Sequence, residues 1–347
     1  MKHSGIVTGV LIGIFVLSQL VGLALLAANS EVSTVDGVTT VDYQDTALGE
    51  RPNTSGFDSF TYLIFGIAIG TAALLLLIRF NLVKVWKTWF LVAVTLAMTA
   101  AFGSFMPTWL AFSLALILGL WKVFKPNLLI HNITEVLVYS GIALIIAPIF
   151  HESIVYVSLL LVVIAIYDAY AVWRSKHMIA MANFQTDSKL FAGLAIPYEL
   201  KDLTAELKPN NANTEASAKL NVAASKATAS AKVVSAARAS AKKVAATPTT
   251  PVEPTPATNS RRTAILGGGD IAFPLIFIGV VFTSLLSQGF STVAAYSYSL
   301  IIVVTAAISL TVLFVYAEKD KFYPAIPFLA TGCFVGYGIV WLLVNLL

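Results

Sequence analysis

The sequence predicts an all-α polytopic membrane protein: nine transmembrane helices, six plus three, joined by a long disordered cytoplasmic loop. Three observations carry this. Of 347 residues, 58% are apolar and only 12% charged, about half the charge with which a soluble chain covers its surface, and the mean hydropathy is +0.83. The apolar residues fall into unbroken runs near the ~20 residues that a helix needs to cross a bilayer core, unlike the ~10-residue alternating segments of a barrel. One stretch breaks the pattern: from about residue 209 to 262 the chain is Ala, Ser, Thr, Lys and Pro without an aromatic residue, a composition that buries no core.

Taken in order, the spans fall at roughly 5–28, 59–78, 85–104, 107–121, 128–149, 153–173, 265–287, 292–316 and 324–346 by the ~20-residue criterion. The first has the outline of a signal peptide, with Met1-Lys2-His3 ahead of it and Ala27-Ala28 at its end. Its apolar stretch exceeds the 7–15 residues of a signal-peptide core, so it reads as a retained helix. Residues 29–58 hold six acids (Glu31, Asp36, Asp42, Asp45, Glu50 and Asp58) and read as a solvated loop. The glycosylation-type triplet Asn53-Thr54-Ser55 within it is a weak pattern. The third and fourth spans share a short connection at Met106–Pro107. After the sixth span, residues 189–201 mix apolar and basic side chains and suit a membrane surface. The tether then runs through an Ala/Lys stretch to an extended, proline-rich Thr247–Thr258. The chain divides into 1–174 (six helices), 175–264 (cytoplasmic connection) and 265–347 (three helices).

Charge sets the orientation. Of 22 Lys and Arg, Arg51 alone falls in an outer connection when the N-terminus is placed inside. The positive-inside rule therefore puts the N-terminus in the cytoplasm and the C-terminus outside, in a multi-pass protein of the cell membrane. A single cysteine, Cys333, excludes an internal disulfide framework and a cysteine-based metal cluster. With four histidines besides, no metal and no cofactor is expected.

Acids inside a span cost about 2.5–3.5 kcal/mol each on insertion scales and count as functional candidates. Three occur: Glu135, Asp168 and Asp270. Counting from the basic flanks at 1.5 Å per residue puts Asp168 about 9 Å, Asp270 about 12 Å and Glu135 about 15 Å from the cytoplasmic side. Each alone reads equally well as an ion-paired or snorkelling side chain, with Arg174 as a partner for Asp168. Two aspartates matched in depth on consecutive antiparallel helices weaken that reading. Asp168 follows Tyr167, Asp270 follows Gly267-Gly268-Gly269, and the last span opens with Tyr323-Pro324-Ala325-Ile326-Pro327. Glycines beside a carboxylate let backbone and water approach it; the prolines by themselves signal a helix start.

Tyr-Asp in span six, Gly-x-Gly-Asp in span seven and Pro-Ala-Leu in span nine are the motifs of the presenilin and signal-peptide-peptidase family of intramembrane aspartyl proteases. Tyr167-Asp168, Gly267-Gly268-Gly269-Asp270 and Pro324-Ala325-Ile326 resemble them in kind and order, Ile326 standing where the family usually has leucine. The resemblance covers nearly the whole chain and is greatest to the archaeal presenilin homologues. It implies that Asp168 and Asp270 are catalytic, and that Tyr167, Gly267, Gly268, Gly269, Pro324, Ala325 and Ile326 shape the site and hold substrate. Two carboxylates a few ångström apart share one proton; the ionised one then activates water while the other polarises the scissile carbonyl. The implied substrates are transmembrane proteins or peptides in the lipid bilayer, hydrolysed within or near their spans by an endopeptidase. No nucleic-acid partner is expected, and a homo-oligomer is left open. The tether stands where presenilins cleave themselves and also reads as a plain linker.

Two other readings compete. A proton-coupled transporter or channel would use Glu135, Asp168 and Asp270 as a relay, although six spans plus three show no inverted symmetry. A prepilin-type peptidase also uses a Gly-x-Gly-Asp aspartate, but with a lysine two residues on, where this chain has Ala272.

Overall fold

A computed structural model describes residues 5–36, 38–52, 54–125, 127–151, 153–175, 184–185, 188, 190–197, 263–317 and 323–346. Nine α-helices occur among them: α1 (Gly5–Asn29), α2 (Gly56–Arg79), α3 (Val83–Gly103), α4 (Thr108–Phe124), α5 (Leu128–Ile146), α6 (Ile154–Tyr170), α7 (Gly268–Ser287), α8 (Thr292–Tyr316) and α9 (Ile326–Leu346). Eight are long and apolar enough to cross a membrane, and α4 is a shorter apolar helix. Each coincides with an expected span. The tether from about residue 209 lies outside the described residues.

The helix boundaries follow local chemistry. Ser55 caps α2: its hydroxyl accepts the Asp58 amide and Asp58 reaches back to the Ser55 amide, the reciprocal pair of a capping box. Pro107 stands just ahead of α4, closing the short connection that follows α3. Asn127 accepts the Ile130 amide at the start of α5. A 3-10 turn, Ala147–Phe150, extends α5, and a π-helical turn, Ala171–Ser175, extends α6 directly beyond Asp168.

At the centre is α7, buried along nearly its whole length from Ile271 to Leu286. Around it pack α1, α5, α6, α8 and α9. The close crossings use small residues, as membrane helices do: Gly279 sits under Leu26 and Ala147, and Gly332 and Gly336 of α9 lie against the backbone of α8. The first helix contacts α5, α7 and α8 through Leu11, Phe15, Leu23 and Leu26. Arg174 makes no ion pair with Asp168 among the described residues.

Three expectations need correction. The outer segment is not a plain loop: β1 (Ser30–Val35) and β2 (Val38–Tyr43) form an antiparallel hairpin, anchored where Tyr43 Oη and Thr283 Oγ1 lie 2.6 Å apart. Arg51 holds the segment to the end of α5, its Nη1 donating to the Leu144 carbonyl at 2.7 Å. Asn53 of the glycosylation-type triplet lies outside the described residues; Thr54 and Ser55 are engaged with Ser59 and Asp58. The second correction concerns residues 189–201. Within them β3 (Gly193–Pro197) is a buried strand, not a surface-lying segment. The third is the start of the seventh span, where Thr263–Gly267 form β4, antiparallel to β3, and the helix begins only at Gly268. The physical reason is shared: Leu194, Ile196, Ala264 and Leu266 bury their side chains in the core, and burial of the flanking backbone demands ladder partners.

Candidate active site

Asp168 lies in the last turn of α6, buried to 5% exposure. Its Oδ2 accepts the backbone N–H of Ile326 at 3.2 Å, and the Ala325 N–H is also directed at the carboxylate. These are first-turn amides of α9, which lack helical partners. Pro324, Ala325 and Ile326 are all buried here. The Pro-Ala-Ile segment is thus a helix start, as its prolines signal, and at the same time the donor that orients Asp168.

Asp270 is the third residue of α7, where a carboxylate turns back on the helix N-terminus. Its Oδ2 accepts the Gly267 amide at 3.2 Å. Gly269, the residue before it, is bordered by the Phe273 ring, 3.3 Å from where a Cβ on Gly269 would stand, and by Ile326, whose Cδ1 lies 3.8 Å from that point. Ile326 thus lies beside both motifs: its amide holds Asp168 while its side chain borders Gly269. α6, which carries Asp168, packs on both α7, which carries Asp270, and α9. Gly268 must be glycine for a different reason, since the Tyr139 hydroxyl occupies the space of a Cβ. Tyr167, beside Asp168, is 39% exposed.

The third intramembrane acid is elsewhere engaged. Glu135 Oε1 pairs with Lys122 Nζ at 2.5 Å, both side chains 1–2% exposed. Its Oε2 accepts the Gly193 amide at 3.2 Å. Lys122 is therefore not the solvated flank that the charge pattern suggests; it lies inside, also donating to Thr134 Oγ1 and to the His131 carbonyl. The sequence reading passed over Lys122, His131, Asn132 and Tyr139. A basic residue thirteen positions before an intramembrane acid, across a short turn, was the available signal. Among the described residues no group of three or more His, Cys, Asp or Glu is arranged to hold a metal ion.

A bundle of apolar helices around a central, largely buried one, with Asp168 and Asp270 each accepting a backbone amide at a helix N-terminus, is the architecture of a polytopic membrane protein. Residues 12–346 match the model of the signal-peptide peptidase, presenilin aspartyl protease family. The chain belongs to that family, and is an intramembrane aspartyl protease whose substrates are membrane proteins cut within the bilayer. Comparisons with curated proteins and with solved structures each returned no match.

Proposed function

We propose that Asp168 and Asp270 are the catalytic pair, hydrolysing a peptide bond in an unwound stretch of a transmembrane substrate by general acid–base activation of water. One observation carries the reading: the Ile326 amide donates to Asp168 while the Ile326 side chain borders Gly269, the residue before Asp270. The ionised carboxylate takes a proton from water as it attacks the scissile carbonyl carbon. The protonated carboxyl donates to the carbonyl oxygen, and on collapse of the tetrahedral intermediate a proton passes to the leaving amine. No covalent intermediate forms.

An unwound substrate needs backbone partners, and the β3–β4 sheet has one edge to offer. Gly193 and Ala195 send their amides and carbonyls toward α5, so Leu194 and Ile196 pair with Leu266 and Ala264. By strand alternation the backbone of Ile265 faces away from β3. A substrate strand adds there, leading its scissile bond past Gly267 toward the aspartates. Gly267, Gly268 and Gly269 keep that approach clear; Pro324, Ala325 and Ile326 bound it, and exposed Tyr167 lines its mouth. The charge pattern puts the N-terminus in the cytoplasm, so single-span substrates with their N-terminus outside are cut near the cytoplasmic face. The engagement of Glu135 by Lys122 disfavours the relay reading.

The test is purified protein in detergent with a single-span peptide substrate and its Asp168→Asn and Asp270→Asn variants. Both variants are expected to be inactive, and a transition-state-like aspartyl protease inhibitor to block the wild type. Cleavage surviving in either variant overturns the pairing.

A further inference from the structure

The structure assigns a positioning role to a buried clamp on α4 and α5: Lys122, Glu135, His131 and Asn132 grip β3, and through it set the strand that orients Asp270. The inference rests on the proposed role of Asp270 and concerns residues outside its motif.

Every outward-facing backbone group of β3 from Gly193 to Ala195 is taken by α5. Glu135 Oε2 accepts the Gly193 amide at 3.2 Å and His131 Nε2 donates to the Gly193 carbonyl at 2.7 Å. The amide side chain of Asn132 does both for Ala195, at 3.0 and 2.8 Å. Side chains of a helix thus replace a third strand. His131 and Glu135, four residues apart, share the α5 face that makes this possible. Lys122 from α4 supplies the charge that lets Glu135 remain buried, pairing with the oxygen that does not hold Gly193.

From Gly193 the path to the site is continuous. Gly193 is paired with Gly267 across the ladder, the Gly268 amide donates to the Ala192 carbonyl at 3.1 Å, and the Gly267 amide donates to Asp270. Tyr139, one turn beyond Glu135 on α5, bears on Gly268. The carboxylate of Asp270 is therefore oriented by a strand whose far side is held by Glu135. An ion pair serving stability alone has little reason to be here, because a buried pair replaced by matched apolar residues commonly costs nothing.

Two double variants separate the roles. Lys122→Met with Glu135→Gln removes both charges and keeps an acceptor for the Gly193 amide; Lys122→Met with Glu135→Leu removes the acceptor as well. Cleavage of the single-span peptide in detergent is measured beside thermal unfolding and amide exchange. The Gln variant is expected to stay within about 3-fold of wild-type kcat. The Leu variant is expected to lose kcat by about 10- to 100-fold, the scale at which supporting hydrogen bonds act on a site. Its exchange should rise in segments containing Gly193 and Gly267 but not in α8 or α9, at an unfolding temperature close to that of the Gln variant. Equal kcat in the two variants, or a loss that merely follows unfolding, overturns the clamp. Should the Leu variant fail to fold, Asn132→Leu decides: unchanged kcat there overturns it too. Activity in Asp270→Asn would instead sink the underlying assignment of Asp270, so the two failures are told apart.

Discussion

Ile326 gives its backbone N–H to Asp168 at 3.2 Å and sets its side chain beside Gly269, the residue before Asp270. Residues 158 positions apart are thereby joined at a helix N-terminus, where the free amides and the positive end of the dipole suit an anion. The contact makes the start of α9 part of the site, and it can be probed without touching either carboxylate.

Replacing Ile326 by proline removes that N–H at a helix position where proline is otherwise tolerated. Peptide cleavage by Ile326→Pro is expected to fall about 10- to 100-fold, the worth of one hydrogen bond to a charged group. Ile326→Leu, which keeps the amide and nearly the volume, should stay within about 3-fold. Equal activity of the two variants would show that the amide does not matter.

Asp168→Asn and Asp270→Asn keep an oxygen that can accept from Ile326 and Gly267 while abolishing acid–base exchange. Each should lower kcat by at least about 100- to 10,000-fold with thermal unfolding in detergent little changed. A large drop in unfolding temperature alongside the lost activity would point to a capping role for Asp270 in place of a chemical one.

Gly268→Ala sets a methyl group against the Tyr139 hydroxyl. Overpacking of this kind costs about 1–3 kcal/mol, read as reduced unfolding temperature and reduced cleavage. Tyr139→Phe should recover part of the loss, giving a coupling of about 0.5–3 kcal/mol in a double-mutant cycle. Strict additivity would argue that the two residues do not meet.

On the outer side, burial pushes the Tyr43 phenol up to about 12 from an ordinary 10.0, against the weaker pull of its bond to Thr283. The folded state thus keeps the proton longer than the unfolded chain. The stability involved is fully present below pH about 10 and is lost as pH rises toward about 12. Unfolding curves across that range should show a decline that is reduced in Tyr43→Phe, itself about 1 kcal/mol less stable at neutral pH for want of the hydrogen bond. An identical alkaline decline in the variant would remove Tyr43 as its source.

Much of the architecture was legible because it depends on local quantities. A run of apolar residues must become a membrane helix wherever it stands, since unpaired backbone is intolerable in lipid; hence all nine helices could be placed from hydropathy. Glu135, Asp168 and Asp270 stood out because charge is so scarce in the spans. The strands did not stand out. Gly193–Pro197 and Thr263–Gly267 are five residues each, too short to show a period, and their pairing spans a connection of more than sixty residues.

The sequence by itself determined the membrane class and the helices and marked two aspartates as candidates, the first two being consequences of transferring individual residues out of water. Only the tertiary structure decided which groups those aspartates meet. It made Lys122 a buried partner of Glu135 when composition had it at the membrane flank, and turned residues 193–197 from a surface segment into a strand gripped by His131, Asn132 and Glu135. Hydrogen bonds and ion pairs depend on distance and direction between groups far apart in the chain, and no local property of residues encodes those until the helices have packed.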